Sequence, residues 1–409
     1  MSDLSHCCQP GTLPRHGFSI RLRSLLRVDH SRNALVRRFF CFGILFALVG
    51  QALGEGSVRI ATFNIAMYGN QSGEVEQRLS GGRWGKAIQL ASIIQKVRPD
   101  ILLLNEIDYD DDQAAVDAFA KGYLSVPQNG LEAIDYPFRM VFASNTGIPS
   151  GMDLNHNGKL GDPEDAWGFG RYPGQYAMAV LSRYPIDREN VRTFKQFLWS
   201  KVPDARRPID PTSKQPYYDD ETWSKLRLSS KTHADVPVQI GSRSLHFLIS
   251  HPTPPVFDGP ADHNGCRNAD EVRFWSFYLN DSSWIIDDES KAGGLPKNEH
   301  FVIAGDLNAD ADAGDGQRDA IDELLNHPRV NDSMPARAAW QSDQKDSNAR
   351  PIATTQFGKS RFMRIDYALP SGNLRVTDGG IYWPDRASEG ADWVNSSDHR
   401  LVWVDVVFP

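Results

Sequence analysis

A chain of 409 residues, 40% hydrophobic and 23% charged, has the balance of a soluble globular enzyme and excludes a disordered or fibrous polymer. Its formal net charge of −8 excludes a strongly basic protein that holds nucleic acid by charge alone. Three of its four cysteines (Cys7, Cys8 and Cys41) lie near the N-terminus, leaving Cys266 alone in the remainder and excluding a disulfide framework.

Residues 1–38 carry seven arginines (Arg15, Arg21, Arg23, Arg27, Arg32, Arg37 and Arg38) against only Asp3 and Asp29. An apolar run, Phe39–Val49, follows, and then the small residues of GQALGEG. A basic stretch, a short apolar core and small residues are the three parts of a secretory signal, and the apolar run falls short of the ~20 residues a membrane-spanning helix needs. The expectation is a leader over 1–54, one domain over 55–409, no stable membrane span, and a secreted or periplasmic monomer. Without residues 1–54 the chain holds 37 basic and 50 acidic residues, a formal charge of −13.

Past the leader, short apolar runs predict strands at Val58–Phe63, Ile101–Leu104, Ala177–Leu181, Leu245–Ser250, Phe301–Ala304, Asp366–Leu369 and Leu401–Val407. Ile88, Ala91 and Ile94 fall at helical spacing and predict a helix over Trp84–Val97, which Pro99 ends. Further helices are expected over Asn268–Leu279 and Asp319–Leu325. Strands alternating with helices, with hairpins in the second half, predict a mixed α/β (α+β) sandwich. The connections 107–175, 185–235 and 252–267 are long enough to carry function. Their aromatic residues (Trp167, Phe169, Tyr172, Trp199, Tyr217, Tyr218, Trp223) can stack on bases, meet lipid or pack the loops down.

Polar residues collect just past these strands. Asn64 follows VRIATF, Asn105-Glu106 follow ILLL, His251 follows LHFLIS, Asp306-Leu307-Asn308 follow FVIAG, Asp366 follows Arg364-Ile365, and Ser397-Asp398-His399 precede the last strand. A single Asn or Asp at a strand end is usually a turn former. Turn chemistry does not call for Glu, His and a repeated Asp/Asn/His set at six successive strand ends.

The segments ATFNIAMYG, PDILLLNEID, AVLSRYPI, FLISHPTPP, FVIAGDLNAD, RIDYALPS and SSDHRLVWVDV, in that order from about residue 58 to 407, resemble the endonuclease/exonuclease/phosphatase family, whose fold is shared with pancreatic deoxyribonuclease. The resemblance is to an exported bacterial-type member. It implies a four-layer sandwich, two packed mixed β-sheets flanked by helices, and metal-assisted attack of water on a phosphoester. Under it Glu106, Asp398 and Asn64 are expected to hold Mg2+ (or Mn2+), an ion that takes few carboxylates and keeps several waters. Asp306 is expected to align or deprotonate the water, and Asn308 to donate to a non-bridging phosphate oxygen. His399 is expected against Asp366, which favours imidazolium. His251 is the candidate acid or phosphate ligand near the leaving group. Either Asp306 or His399 can be the base.

Two features lie outside that pattern. In HPTPPVFDGPADHNGCRNADEVRFW, His263, Arg267 and Asn268 are candidates for phosphate binding, with loop shaping and capping as the alternative. Asp153, Asn155 and Asn157 before Gly158, followed by Glu164 and Asp165, match the spacing of a calcium loop, and a structural Ca2+ is expected there. The reading that follows is a metal-dependent phosphodiesterase or nuclease acting on a phosphoester substrate, nucleic acid included. A lipid phosphodiesterase of sphingomyelinase type or a small-molecule phosphatase is the alternative. A non-catalytic binding module ranks below both, because Asp306, His399 and Glu106 are all retained.

Overall fold

The computed structural model describes residues 56–332, 337–338, 350–358 and 360–409, so the expected leader lies outside the described residues. Along the chain come β1 (Val58–Met67), α1 (Glu74–Leu79), α2 (Gly85–Val97), β2 (Ile101–Ile107), α3 (Ala114–Phe119), β3 (Phe138–Phe142), β4 (Ala177–Ser182) and β5 (Arg192–Thr193). Then follow α4 (Asp220–Lys225), β6 (His233–Ile240), β7 (Arg243–Ser250), α5 (His263–Leu279), β8 (His300–Asp306) and α6 (Arg318–Leu325). The hairpin β9 (Thr355–Phe357) and β10 (Arg361–Met363) precedes β11 (Asp366–Pro370), β12 (Arg375–Ile381) and β13 (Val402–Val407).

Six strands form one sheet in the order β12-β13-β1-β2-β4-β3, and five form a second in the order β11-β8-β7-β6-β5. Each is mixed, with β1–β2 and β7–β8 the parallel pairs. Alternation along the strands divides the core. Ile60, Ile101 and Leu103 face Val236, Phe247, Ile249 and Val302 between the sheets. Phe63, Leu102 and Leu104 turn outward onto Leu90, Ala91 and Ile94 of α2. On the far side Leu248, Phe301 and Ile303 meet Val272, Trp275 and Tyr278 of α5 and Ile321 and Leu324 of α6. The architecture is therefore the expected four-layer sandwich. Strands covered on both faces need apolar residues at every position, which is why ILLL and FVIA are unbroken runs.

Elements also form where none is expected: α3 and β3 in the connection 107–175, β5 and α4 in 185–235, and α1, β9, β10 and β12 elsewhere. The strand β6 begins within the connection 185–235, where no strand is expected, and contains Pro237. The Pro237 carbonyl accepts from Asp187 N on the outer side of the strand, so the missing N–H also faces outward and no ladder bond to β7 is lost. Helix α5 starts at His263, five residues before the expected Asn268. The Asp258 carboxylate accepts from Asn264 N (2.7 Å) and Gly265 N (3.1 Å), satisfying orphan donors of that first turn from outside.

Candidate active site

The polar residues at the strand ends meet at one edge of the sandwich. Parallel β1 and β2 end together, with Asn64 paired to Asn105 in register, and Asp366 at the start of β11 pairs with Asp306 at the end of β8. The chain is bent to bring them there. Ala66, Glu106 and Asn308 have positive φ (45°, 60° and 51°), a conformation that costs on the order of 1–3 kcal/mol and clusters at functional sites. The registers β1–β2 and β2–β4 both shift around Glu106, a bulge that re-aims its side chain out of the strand's alternation. At Gly305 any Cβ would stand 1.9 Å from the Ser250 carbonyl oxygen, so only glycine lets β8 close against β7 just before Asp306.

Asp306 is the hub. Its Oδ1 accepts from Asn308 N (3.0 Å) and its Oδ2 from Asn64 Nδ2 (3.0 Å). His251 Nε2 and His399 Nε2 stand 3.5 and 3.6 Å from the same Oδ2, just beyond hydrogen-bond reach. Burial, partly offset by the His399 charge and reinforced by Asp366, pushes the Asp306 carboxyl up to about 7. His399 Nδ1 donates to Asp366 Oδ2 at 2.9 Å. Burial alone would depress His399, but the carboxylates of Asp366 and Asp306 outweigh it and hold the ring well above its ordinary range, as imidazolium. His251 is the converse: burial, with Lys231 and His399 nearby, keeps it well below that range and neutral.

Glu106 leans outward from this buried core, with 21% of its side chain exposed. Burial raises it, His399, the Asn64 amide and Lys231 oppose the rise, and the Asp398 charge adds to it. Asp398 is exposed, and its backbone carbonyl accepts from Thr355 Oγ1 at 2.8 Å. Glu106 and Asp398 at a water-accessible mouth fit a hard divalent cation that keeps several waters. Asp306, Asp366 and His399 also present ligand-type atoms within 4.8 Å of one another. There the His399 ring, as a cation, bonds Asp366 and faces Asp306 at 3.6 Å, which suits an ion-pair triad better than a metal.

Several expected roles change. Asn64 turns its amide hydrogens to Asp306 and Glu106 (3.0 and 3.1 Å) and its oxygen to Ala66 N, so it holds carboxylates in place rather than offering a ligand. Asn308 Nδ2 is directed to Pro252 O at 3.1 Å, leaving one amide hydrogen for substrate. The Arg267 guanidinium donates to the carbonyls of Arg227 and Leu228 in one loop and of Trp167 in another, tying both to α5. Asn268 donates to Thr253 O and Leu307 O, bracing the segments that carry His251 and Asp306. The His263 ring stacks on Tyr217, with centroids 5.0 Å apart.

The 153–165 loop does not gather three carboxylates on one point. Asp153 accepts from Asn157 N and Gly158 N, Asn155 from Asn157 N, and Asn157 from Lys159 N. Asp165 accepts from Leu154 N, Gly161 N and Asp162 N. Glu164 lies in the short 3-10 turn Pro163–Asp165. The loop oxygens expected to bind calcium also accept N–H bonds from the loop's own backbone, which shapes the loop and leaves each oxygen a further lone pair. Of the loop aromatics, Trp199 is buried and donates to Asp270, while Phe169 is 51% exposed beside Tyr176.

Two side chains at the site escape the strand-end pattern. Thr354 donates its hydroxyl to Asp366 Oδ2 (2.7 Å), fixing the carboxylate that orients His399. Lys231, 7% exposed, lies near Glu106 and Asp306.

A model of the endonuclease/exonuclease/phosphatase family matches residues 61–399. Among solved structures, an endonuclease/exonuclease/phosphatase from Beutenbergia cavernae is 16% identical with a TM-score of 0.50, over 86% of this chain and 72% of that one. A family protein from Leptotrichia buccalis is 15% identical with a TM-score of 0.46, over 86% and 100%. Sphingomyelinase C from Streptomyces griseocarneus is 15% identical with a TM-score of 0.44, over 85% and 99%. No curated protein matches the chain.

Proposed function

The chain belongs to the endonuclease/exonuclease/phosphatase family, whose members are hydrolases of phosphoester bonds, and from that premise we propose that it is a metal-dependent phosphodiesterase or nuclease. One observation carries the assignment of roles: a carboxyl held at about 7 lies beside a histidine held as a cation. A base works best with a pKa near the operating pH, and a ring already carrying its proton cannot accept another. Asp306 therefore takes the proton of the attacking water, with Asn64 and Asn308 N fixing its orientation. The His399 imidazolium, steadied by Asp366 and Thr354, stabilises negative charge as it builds on the phosphoryl oxygens. His251, neutral and 2% exposed, stands 3.5 Å from the same Asp306 oxygen and is the group assigned to the leaving-group oxygen.

Glu106 and Asp398 would hold the divalent ion, Mg2+ or Mn2+, which when bound polarises the phosphoryl group and lowers the charge on the leaving oxygen. The test is turnover of bis-p-nitrophenyl phosphate, oligonucleotides and phosphomonoesters with Mg2+ and with EDTA. Turnover of a diester that EDTA abolishes is expected. Hydrolysis unaffected by EDTA, or no hydrolysis of any phosphoester with metal supplied, overturns the reading.

One observation favours a second reading, a lipid phosphodiesterase. Phe257, in the loop that leaves His251, is 98% exposed, and a bare aromatic ring suits a lipid surface. Sphingomyelin vesicles added to the same assay decide between them. Export is part of the proposal, resting on the 1–54 leader pattern, although no helix among the described residues is long and apolar enough to cross a membrane. The mass of the protein recovered after expression with its full N-terminus tests cleavage near Ala52–Gly56.

A further inference from the structure

Lys231 precedes β6 by two residues, and its side chain is almost wholly enclosed, 7% exposed. Its position is fixed from several sides. Glu271 of α5 accepts from Ser230 N (2.6 Å), Ser230 Oγ (3.0 Å) and Thr253 N (2.6 Å), clamping the segment before β6 to the segment after β7. Asn145 N donates to the Lys231 carbonyl at 3.0 Å. His233 pairs with Ser250 in the β6–β7 ladder, so continuing that antiparallel register two residues outward sets Lys231 opposite Pro252. The Pro252 carbonyl is the one that Asn308 Nδ2 contacts. Lys231 therefore stands at the strand edge that carries His251 and Asn308.

Its ammonium has no partner. Among the described residues Lys231 makes no side-chain hydrogen bond, and no carboxylate oxygen lies within the 4.0 Å of an ion pair. The charges it feels most are Glu271, Glu106 and Asp306. Glu271 is already filled by the three donors of the clamp, and Asp306 Oδ2 is ringed by Asn64, His251 and His399. The ammonium is not among the buried polar atoms that lack a partner, so its tip keeps access to solvent while the stem is enclosed, and a fold that needed only packing would place an apolar side chain there. A cation held open at the edge of a site is suited to an anion that arrives from outside.

We propose that Lys231 is a phosphate-binding residue that contacts a non-bridging oxygen of the substrate's phosphoryl group, from the side formed by His251 and Asn308. The proposal rests on the phosphoester-hydrolase reading for its substrate class and adds a residue that the strand-end motifs do not contain. A lysine acts there as a point charge with three rotatable donors, tolerant of the chemistry on either side of the phosphorus. The enclosure around its stem also strengthens its attraction for phosphate once substrate excludes water.

The test compares wild type, Lys231→Met and Lys231→Arg in buffer containing Mg2+. Inorganic phosphate, titrated against the melting temperature, reads anion binding without requiring turnover. Phosphate is expected to raise the melting temperature of wild type and Lys231→Arg but not of Lys231→Met. With bis-p-nitrophenyl phosphate, kcat/KM is expected to fall roughly 100-fold in Lys231→Met and to recover in part in Lys231→Arg. Without phosphate, Lys231→Met should melt no lower than wild type, because it loses an unpaired charge. A lower melting temperature would make Lys231 a structural counter-charge and overturn the proposal. So would an unchanged phosphate response with kcat/KM near that of wild type. If wild type itself hydrolyses no phosphoester, the functional reading falls, and the phosphate titration still decides Lys231.

Discussion

Asp165, in the 153–165 loop, and Asp306, at the end of β8, are equally enclosed, 2% and 1% exposed, yet their surroundings differ in kind. Asp165 is filled by three backbone N–H groups of its own loop, within 11 residues of it in the chain. Asp306 takes one backbone donor and one amide, and beyond those faces two histidine nitrogens at 3.5 and 3.6 Å that stop short of bonding. Its neighbours come from β1, β7 and the start of β13, and Asn64 reaches it from 242 positions away. A carboxylate satisfied by its own backbone holds a shape. One surrounded by side chains from other strands, one of them a cation, with lone-pair capacity left over, can take a proton from outside. Burial does not separate the two cases, whereas the origin of the partners does.

The largest effect that tests this contrast is on turnover. Asp306→Asn and His399→Ala are each expected to lower kcat by about 10²–10⁴, the range for positioned acid–base groups, while Asp165→Ala leaves kcat near wild type. Single-turnover rates on bis-p-nitrophenyl phosphate measure all three. Wild-type kcat in Asp306→Asn would remove the proton-accepting role, and a large loss in Asp165→Ala would join the loop to the site.

A second test is the pH dependence of stability without metal. The folded chain holds the Asp306 proton up to about 7, whereas the unfolded chain releases it near 3.8. Stability from this group is therefore complete below 3.8 and is lost as pH rises to about 7. Asp306→Asn carries no such loss, so in EDTA its advantage in melting temperature over wild type should grow across that window and then level off. His233, buried neutral and pushed down to about 4, acts in the opposite sense, costing stability as pH falls from 6.5. It is present in both proteins and cancels in the difference. A difference that stays flat with pH would show that Asp306 is not strained by its burial.

How much of this can be read in the residues depends on how far apart the partners lie. Asp306, Asp366, His399 and Glu106 are visible because each follows or precedes an apolar strand, and strand ends are where such folds place polar groups. The four layers are visible because runs such as ILLL and FVIA need cover on both faces. The direction of Glu106 is not, since a bulge and a positive φ set it, and neither leaves a mark in ILLLNEI. Arg267 and Asn268 look like phosphate ligands because the carbonyls that occupy them belong to distant loops, up to 100 positions away. The calcium spacing is ambiguous for the opposite reason. The same Asp and Asn oxygens that can ring an ion also make turns with their own backbone, and spacing alone does not tell the two apart.

The smallest effect is the most direct on the loop itself. Asp165→Ala leaves three N–H groups without their acceptor, those of Leu154, Gly161 and Asp162. Leu154 is buried at 6% exposure, so its N–H has little access to water as a replacement, whereas Gly161 is exposed and recovers a bond from solvent. The net cost is expected to be about 1–3 kcal/mol, that of an unsatisfied buried donor. In urea this should lower the unfolding midpoint and leave the slope unchanged, because the same surface is exposed on unfolding. Asp306→Asn, which removes a charge and keeps a hydrogen-bond acceptor, should not lower the midpoint in metal-free buffer at neutral pH. If both variants lowered it equally, the two carboxylates would be structural in the same way, and the difference in where their partners come from would have no functional meaning.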